Sequence, residues 1–325
     1  MKKCVFAGDW VLEQAVGIQR YTLQILLELD KMLLDGRIDL EIELLVPKSS
    51  GWKNPFKKIT VVELGKIGSK VEKYIWQQLV FPIYVTKKKA IGVDLAGAVP
   101  IWGCRICALH DCIREIFPEN FDRHKFYLKM YYFKARCVAK SSKVQIVTLT
   151  HDSMKEVQNY YHVPDNRIDI VSCGWEHMNT TTEDDSILNR LELNDGCEFF
   201  FSLGSKYKHK NFRWILESAR YNPKYKFVIT GTGAFSNNEN ELKMVVPKNV
   251  IFSVKSSLFF INVDTSNALR SSVQIYLPKT MKNNILTSCS KPKDTFITFC
   301  RFKIITVPRT RNITERIIFA MKIDE

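Results

Sequence analysis

One segment, FSLGSKYKHKNFRWILESARYNPKYKFVITGTG (residues 201–233), constrains the possible folds of this chain more than any other. Its pattern predicts an apolar strand, a Gly-Ser turn, a basic cluster, an amphipathic helix and a second apolar strand. Two strands joined through a helix in this way are typically parallel neighbours in one sheet. The segment therefore predicts a parallel sheet with helices packed against it.

The same alternation of strands and helices occupies the first half of the chain. CVFAGDWV and LEIELLV are predicted strands, and residues 17–33 between them have the apolar spacing of a helix. The alternation continues to about residue 172 and predicts an α/β fold of two doubly wound, Rossmann-like domains. Further predicted strands are ITVVEL, AIGVDLAG, GCRICALHD, VQIVTLT and IDIVSCG, and further predicted helices are residues 70–87, RHKFYLKMYYFKARCVAKSS and the segment after VQIVTLT, capped by Thr150 or Asp152.

A length of 325 residues suits two domains. We predict an N-terminal domain over residues 1–180, a polar linker over 181–197 and a second domain over 198–325. Two such domains would place a cleft between the carboxyl ends of their sheets. After about residue 252 the sequence has no clean period, so the second domain is atypical there and is predicted to be incomplete.

The chain is basic, with a formal net charge of +14 and a pI near 9.3. This charge predicts an anionic partner: nucleic acid, an acidic membrane surface or a phosphorylated small molecule. A nucleic-acid partner is disfavoured because no groove-reading or single-strand-binding module is recognisable. A hydrophobic content of 46% is that of a folded globular protein.

The nine cysteines have no framework spacing and follow no secretory signal, which predicts a reducing, cytoplasmic location. CRIC (residues 104–107) is a single CxxC without a second pair, so we expect buried thiols and no metal site. The apolar runs are too short to span a membrane. The basic, aromatic helix around residues 123–140 could lie on the inner face of an anionic plasma membrane, or it could pack its aromatic side chains into the core.

The basic turn of the opening segment is a candidate anion site. Gly204, Lys210 and Asn211 lie between a strand and a helix, where free backbone N–H groups and the helix dipole favour a phosphate. The turn is neither a P-loop nor a GxGxxG fingerprint. A solvated basic loop is the alternative.

Three further segments extend the pattern into a resemblance. Residues 201–233, together with GIQRYTLQILLEL, ALHDCIREIFPENF and VTLTHDSMKEVQNYYHVPDNRIDIVSCGWEHM, resemble glycosyltransferase family 4, whose members have the GT-B fold. The resemblance covers about residues 1–250. It implies an enzyme that transfers a hexosyl group from a UDP- or GDP-linked sugar to a glycan or lipid-linked saccharide in surface polysaccharide biosynthesis, with retention and without a metal or other cofactor.

The resemblance also implies roles for particular residues. His110 matches a cleft histidine near the transferred sugar and the acceptor, with a satisfied core histidine as the alternative. Asp111 would orient His110 or cap the next helix. The positions matching donor-binding residues are Gly17, Gly204, Lys210, Asn211, Gly231 and Gly233. For the glycines the alternative is an ordinary turn, and Arg20 is a weaker candidate for phosphate.

The chain departs from the family in its second domain. The family carries Glu-Gly-Phe-Gly followed by a second Glu, and these carboxylates hold the donor sugar and ribose. Here no Glu occurs between Glu241 and Glu315. We infer either a reading frame disrupted near Ser253 or a degenerate lobe, and a catalytically inactive glycosyltransferase remnant is the alternative function.

Overall fold

The computed structural model describes residues 2–13, 17–48, 50–118, 125–174, 188–189, 191–193, 198–203, 212–230 and 245–253. They fall into two compact units, one within residues 1–175 and one within residues 176–307. The predicted domain boundaries themselves stay predictions.

The first unit is built on a seven-stranded sheet in which every described pairing is parallel. The strands are β1 (Lys2–Ala7), β2 (Leu40–Val46), β3 (Thr60–Glu63), β4 (Ile91–Asp94), β5 (Ile106–Ala108), β6 (Gln145–Thr148) and β7 (Ile168–Ile170). Their order in the sheet is β3-β2-β1-β4-β5-β6-β7, so the chain moves outward from β1 on one side and then on the other.

Helices connect these strands. They are α1 (Gly17–Leu34), α2 (Lys70–Ile75), α3 (Phe81–Lys87), α4 (Ile113–Ile116), α5 (Lys125–Lys140) and α6 (His151–Tyr161). A π-helical segment, Trp76–Val80, joins α2 to α3, so the single helix predicted over residues 70–87 is confirmed with a local widening. Thr150 caps α6 by accepting from the backbone N–H of Ser153, which decides between the two predicted caps.

Helices cover both faces of the sheet, as the side chains of its central strand β1 show. Cys4 and Phe6 point into a core that α1 closes, whereas Val5 and Ala7 point into a second core that α3, α5 and α6 close. Side chains alternate along a strand, so a strand buried on both faces must be apolar throughout. This arrangement confirms the predicted α/β class and Rossmann-like topology of the first unit.

The second unit contains a three-stranded parallel sheet among its described residues, made of β8 (Phe199–Leu203), β9 (Lys226–Thr230) and β10 (Val250–Ser253). The strand order is β10-β9-β8. One helix, α7 (Phe212–Tyr221), connects β8 to β9 and packs Leu216 against Ile229. This is the βαβ unit that residues 201–233 predict.

Candidate functional site

The candidate site of the first unit is the carboxyl edge of its sheet. β1 and β4 are neighbours there, yet the chain leaves β1 toward β2 and leaves β4 toward β5. Such a switch in strand order opens a crevice outside the carboxyl ends of the two strands, where doubly wound proteins bind ligands. Residues that follow β1, β4 and β5 therefore border the crevice.

His110 follows β5 at this edge and is 7% exposed. Its Nε2 lies 2.8 Å from the carbonyl oxygen of Leu95, which follows β4. Thr148, at the end of β6, donates from Oγ1 to the carbonyl oxygen of His110 at 3.2 Å. The candidate catalytic histidine is thus fixed by the two strands that flank its own.

Burial lowers the pKa of His110, while its hydrogen bond to Leu95 and the charge of Asp111 oppose that shift. The ring is therefore neutral at pH 7. Its Nδ1 is buried and has no hydrogen-bond partner among the described residues. A neutral histidine with one unused ring nitrogen at a crevice has the chemistry of a ligand-binding group.

Tyr21, in the second turn of α1, brings that helix to His110. The two ring centroids are 5.1 Å apart and the planes are 87° apart, an edge-to-face contact. The hydroxyl of Tyr21 donates to the carbonyl oxygen of Val171 at 3.0 Å, directly after β7. Tyr21 was not predicted as a site residue, although its place four residues after Gly17 in the same motif was a usable signal.

Asp111 lies one residue before the N-cap of α4, which is Cys112. Its Oδ1 accepts from the backbone N–H of Ile113, the first residue of α4, at 3.1 Å, an Asx turn that leads into the helix.

Gly17 is the first residue of α1 and is exposed. A Cβ built on it would meet nothing within 4 Å, so the backbone there faces open space. The structure places Gly17 one helical turn from Tyr21, at the same edge of the sheet as His110. Arg20 is also exposed.

The loop after β4 is held by buried polar groups that sequence reasoning did not identify. Asp94 accepts from the backbone N–H groups of Ala96, at 3.1 Å, and Val99, at 2.7 Å. Lys134 of α5 donates to the carbonyl oxygen of Ala98 at 2.8 Å. Val99 has φ of 53°, a strained value for a β-branched residue, so this loop needs these contacts to keep its shape.

Asp9 follows β1 across the crevice and is 3% exposed. Its Oδ2 accepts from Gln77 Nε2 at 2.7 Å and lies 3.6 Å from Lys73 Nζ, while its Oδ1 has no partner among the described residues. Lys73 also pairs with Glu13. Burial raises the pKa of Asp9, and the charge of Lys73 opposes this. Asp94 is the last residue of β4, and Asp9 lies two residues after the end of β1. An aspartate at or just after the end of a strand was therefore the sequence signal for this edge of the sheet.

The predicted donor-binding residues of the second unit lie outside the described residues. They are Gly204, Lys210, Asn211, Gly231 and Gly233. The strands that precede two of them are described: Leu203 ends β8, Thr230 ends β9, and these two residues are paired in register.

The cysteines near His110 are buried thiols. Burial raises the pKa of Cys104, Cys107 and Cys112, so each stays protonated at neutral pH. Within the described ranges no group of three or more His, Cys, Asp or Glu side chains is placed to hold a metal ion. Of the helices that the structure describes, none combines the length and apolar character needed to cross a bilayer.

No protein-family model matches the sequence, and no curated protein matches it. Among solved structures, the chain is similar to a glycosyltransferase from Rickettsia africae ESF-5, at 9% identity and a TM-score of 0.43, over 77% of this chain and 67% of that one. It is similar to Anabaena Alr3699/HepE in complex with UDP-glucose, at 13% identity and a TM-score of 0.42, over 78% and 68%.

A third similar structure is UDP-N-acetylglucosamine 2-epimerase from Rickettsia bellii, at 11% identity and a TM-score of 0.38, over 78% of this chain and 68% of that one.

Proposed function

We propose that this chain is a glycosyltransferase that uses a nucleotide-sugar donor. One observation supports this most: two segments on which the family 4 resemblance rests touch in the fold through residues 89 positions apart in the sequence. Tyr21 of GIQRY contacts His110 of ALHD, with ring centroids 5.1 Å apart. Their meeting point is the carboxyl edge of a doubly wound sheet, the edge where such folds bind ligands.

The proposed reaction is hexosyl transfer to a glycan or a lipid-linked saccharide in surface polysaccharide biosynthesis, with retention and without a metal or other cofactor. Negative charge grows on the nucleoside diphosphate as the glycosidic bond breaks, and fixed N–H donors and cations stabilise it. We assign this role to Lys210 and to the backbone near Gly204 and Asn211. Gly231 and Gly233 would let the nucleotide approach the strand end.

The first unit would supply Gly17 and His110. The open space beside Gly17 is compatible with close approach of a phosphate to the backbone. His110, held by Leu95 and Tyr21, would contact the transferred sugar or the acceptor hydroxyl. This arrangement needs no ionised histidine, which suits the lowered pKa of His110.

Thermal unfolding in the presence of UDP or GDP tests the proposal. A ligand at one hundred times its Kd stabilises the folded state by about 2.7 kcal/mol. The midpoint temperature of unfolding should therefore rise with UDP or with GDP. Lys210→Ala should fold normally and lose most of this shift. No shift with either nucleotide at millimolar concentration would contradict donor binding.

A second candidate function is a catalytically inactive remnant. The observation that favours it is the absence of Glu between Glu241 and Glu315, since the family's donor-sugar carboxylates have no counterpart there. An active enzyme would release UDP or GDP from a nucleotide-sugar, whereas a remnant would bind nucleotide at most. Measuring nucleotide release from UDP- and GDP-sugars with a mixture of saccharide acceptors separates the two.

Contact with an anionic membrane is a further part of the proposal. The aromatic and basic side chains of α5 differ in exposure. Tyr131 and Lys134 are buried, whereas Phe126, Tyr127 and Phe133 are exposed. The core-packing interpretation therefore holds for one face of this helix only. The outer face also carries exposed Lys129 and Arg136, and exposed aromatic residues among cations suit the interface of an acidic bilayer.

A further inference from the structure

The hydrogen-bonding state of His110 follows from its contacts. Leu95 offers a carbonyl oxygen, which can only accept, so the His110 Nε2 that lies 2.8 Å away must carry a hydrogen. Burial keeps the ring neutral, and a neutral imidazole carries one hydrogen only. The hydrogen is therefore on Nε2, and Nδ1 holds a lone pair.

Nδ1 is the ring nitrogen left for a ligand. It is buried and without a hydrogen-bond partner among the described residues. A buried acceptor without a donor is costly, by about 1–3 kcal/mol, and natural structures tolerate few such atoms. A ligand that supplies a hydrogen at this position would remove the cost.

The orientation of the ring depends on Tyr21. The hydrogen bond at Nε2 holds one atom of the His110 ring, and the bond at the backbone oxygen holds the main chain, so a further contact is needed to hold the plane of the ring. The Tyr21 ring packs against it edge to face and is 6% exposed. Tyr21 is fixed in turn by its hydroxyl, which donates to Val171.

We propose that Tyr21 is a positioning residue that holds the His110 ring with its Nε2–H on Leu95, so that His110 offers Nδ1 to its ligand as a hydrogen-bond acceptor. The group that matches this lone pair is a hydroxyl or another hydrogen donor, whereas an ionised phosphate or carboxylate oxygen has no hydrogen to donate to it. The identity of the ligand as a saccharide rests on the proposed function, whereas the tautomer of the His110 ring rests on the contacts of that ring alone.

The test is nitrogen NMR of the full chain labelled with ¹⁵N-histidine, without ligand. The chain has six histidines, and His110→Gln identifies the His110 signals by their loss. We expect a single tautomer with the hydrogen on Nε2 and nuclear Overhauser contacts between the rings of Tyr21 and His110. A hydrogen on Nδ1, an equal mixture of tautomers or absent ring contacts would overturn the proposal.

Three variants separate positioning from general stability. Tyr21→Leu should give mixed tautomers, and Tyr21→Phe should restore the single one because it keeps the ring. Tyr131→Leu is the matched control: this tyrosine is equally buried but packs against Arg114 and Tyr132 in the opposite core. Unchanged His110 signals in folded Tyr21→Leu would contradict the positioning role.

If Tyr21→Leu does not fold, Tyr21→Met, which fills the space without an aromatic ring, takes its place in the test of positioning, and the tautomer of the wild-type chain is measured in either case. UDP binding is a separate measurement. If the tautomer is as expected and no nucleotide binds, the proposed function fails and the inference on His110 stands.

Discussion

The hydroxyl of Tyr21 donates to the carbonyl oxygen of Val171 at 3.0 Å, across 150 residues of sequence. The bond joins the first helix to the end of the last strand of the seven-stranded sheet. It lies beside His110, so the elements that border the candidate site are connected through one buried side chain.

Removing this hydroxyl should weaken the first unit. Tyr21→Phe leaves the Val171 carbonyl oxygen without this donor, and the loss of one buried hydrogen bond costs about 1 kcal/mol. Urea denaturation followed by circular dichroism measures this difference. Tyr221→Phe is the control because Tyr221 is 82% exposed, and a loss of similar size in the control would mean that the method does not resolve this bond.

The lowered pKa of His110 predicts a dependence of stability on pH. The His110 imidazole binds a proton more readily in the unfolded chain than in the folded one. The unfolded state therefore takes up more protons as the pH falls below about 6.5. Its contribution to stability is complete above that pH and is lost as the pH falls toward the folded pKa, with a slope of at most about 1.4 kcal/mol per pH unit.

The matched variant is His110→Gln, which removes the titrating ring. Its unfolding free energy should depend less on pH than that of the wild type in the range just below pH 6.5. Parallel pH profiles for the two proteins would show that His110 is not held neutral by burial.

Gly17→Ala separates folding from donor binding. The added methyl meets no atom within 4 Å, and alanine is a better helix former than glycine by about 1 kcal/mol, so stability should be equal or higher. If the phosphate approaches the backbone of Gly17, the added methyl obstructs it. The Kd for UDP should then rise about tenfold, which is a loss of about 1.4 kcal/mol in binding free energy. Calorimetric titration measures this.

The control for that experiment is Gly8→Ala. There the new Cβ would lie 2.5 Å from the carbonyl oxygen of Leu45, so the variant should lose stability instead. A Gly17→Ala protein that binds UDP as tightly as the wild type would remove Gly17 from the proposed site.

Asp94 of β4 and Lys134 of α5 should be coupled in their effects on stability. Burial lowers the pKa of Lys134 and raises that of Asp94, and the charge of each residue opposes the shift of the other. Asp94→Asn leaves the buried ammonium without that compensation and should cost about 3 kcal/mol. Lys134→Met removes the charge and keeps most of the side-chain volume, so the double variant should lose less than the sum of the single losses. Additive losses in urea denaturation would contradict the coupling.

Vesicle binding tests the outer face of α5. Replacing Phe126 and Tyr127 with serine should reduce sedimentation with vesicles that contain phosphatidylglycerol, because both side chains are exposed and contribute apolar area to the interface. Neutral phosphatidylcholine vesicles should bind the wild type weakly. Tyr221→Ser, a change of an exposed aromatic residue in the second unit, is the control.

Much of the fold was predictable from local pattern. Residues 17–33 were predicted as a helix and form α1, and the predicted strands CVFAGDWV and LEIELLV contain β1 and β2. Apolar periodicity suffices there because each element buries a face that its own spacing defines. His110 and Gly17 were predicted through the resemblance. Tyr21, Asp9, Asp94 and Lys134 were missed because their positions beside a motif or a strand end do not show which distant partners surround them in the fold.

The sequence by itself determined the alternation of strands and helices, and with it a parallel, doubly wound architecture, because periodicity and turn residues act over short distances. Only the tertiary structure decided what surrounds His110. Leu95, Tyr21, Thr148 and Val171 come together there from different strands and helices, and the order in which parallel strands assemble brings them to one edge. The ring nitrogen left for a ligand follows from those contacts and from burial.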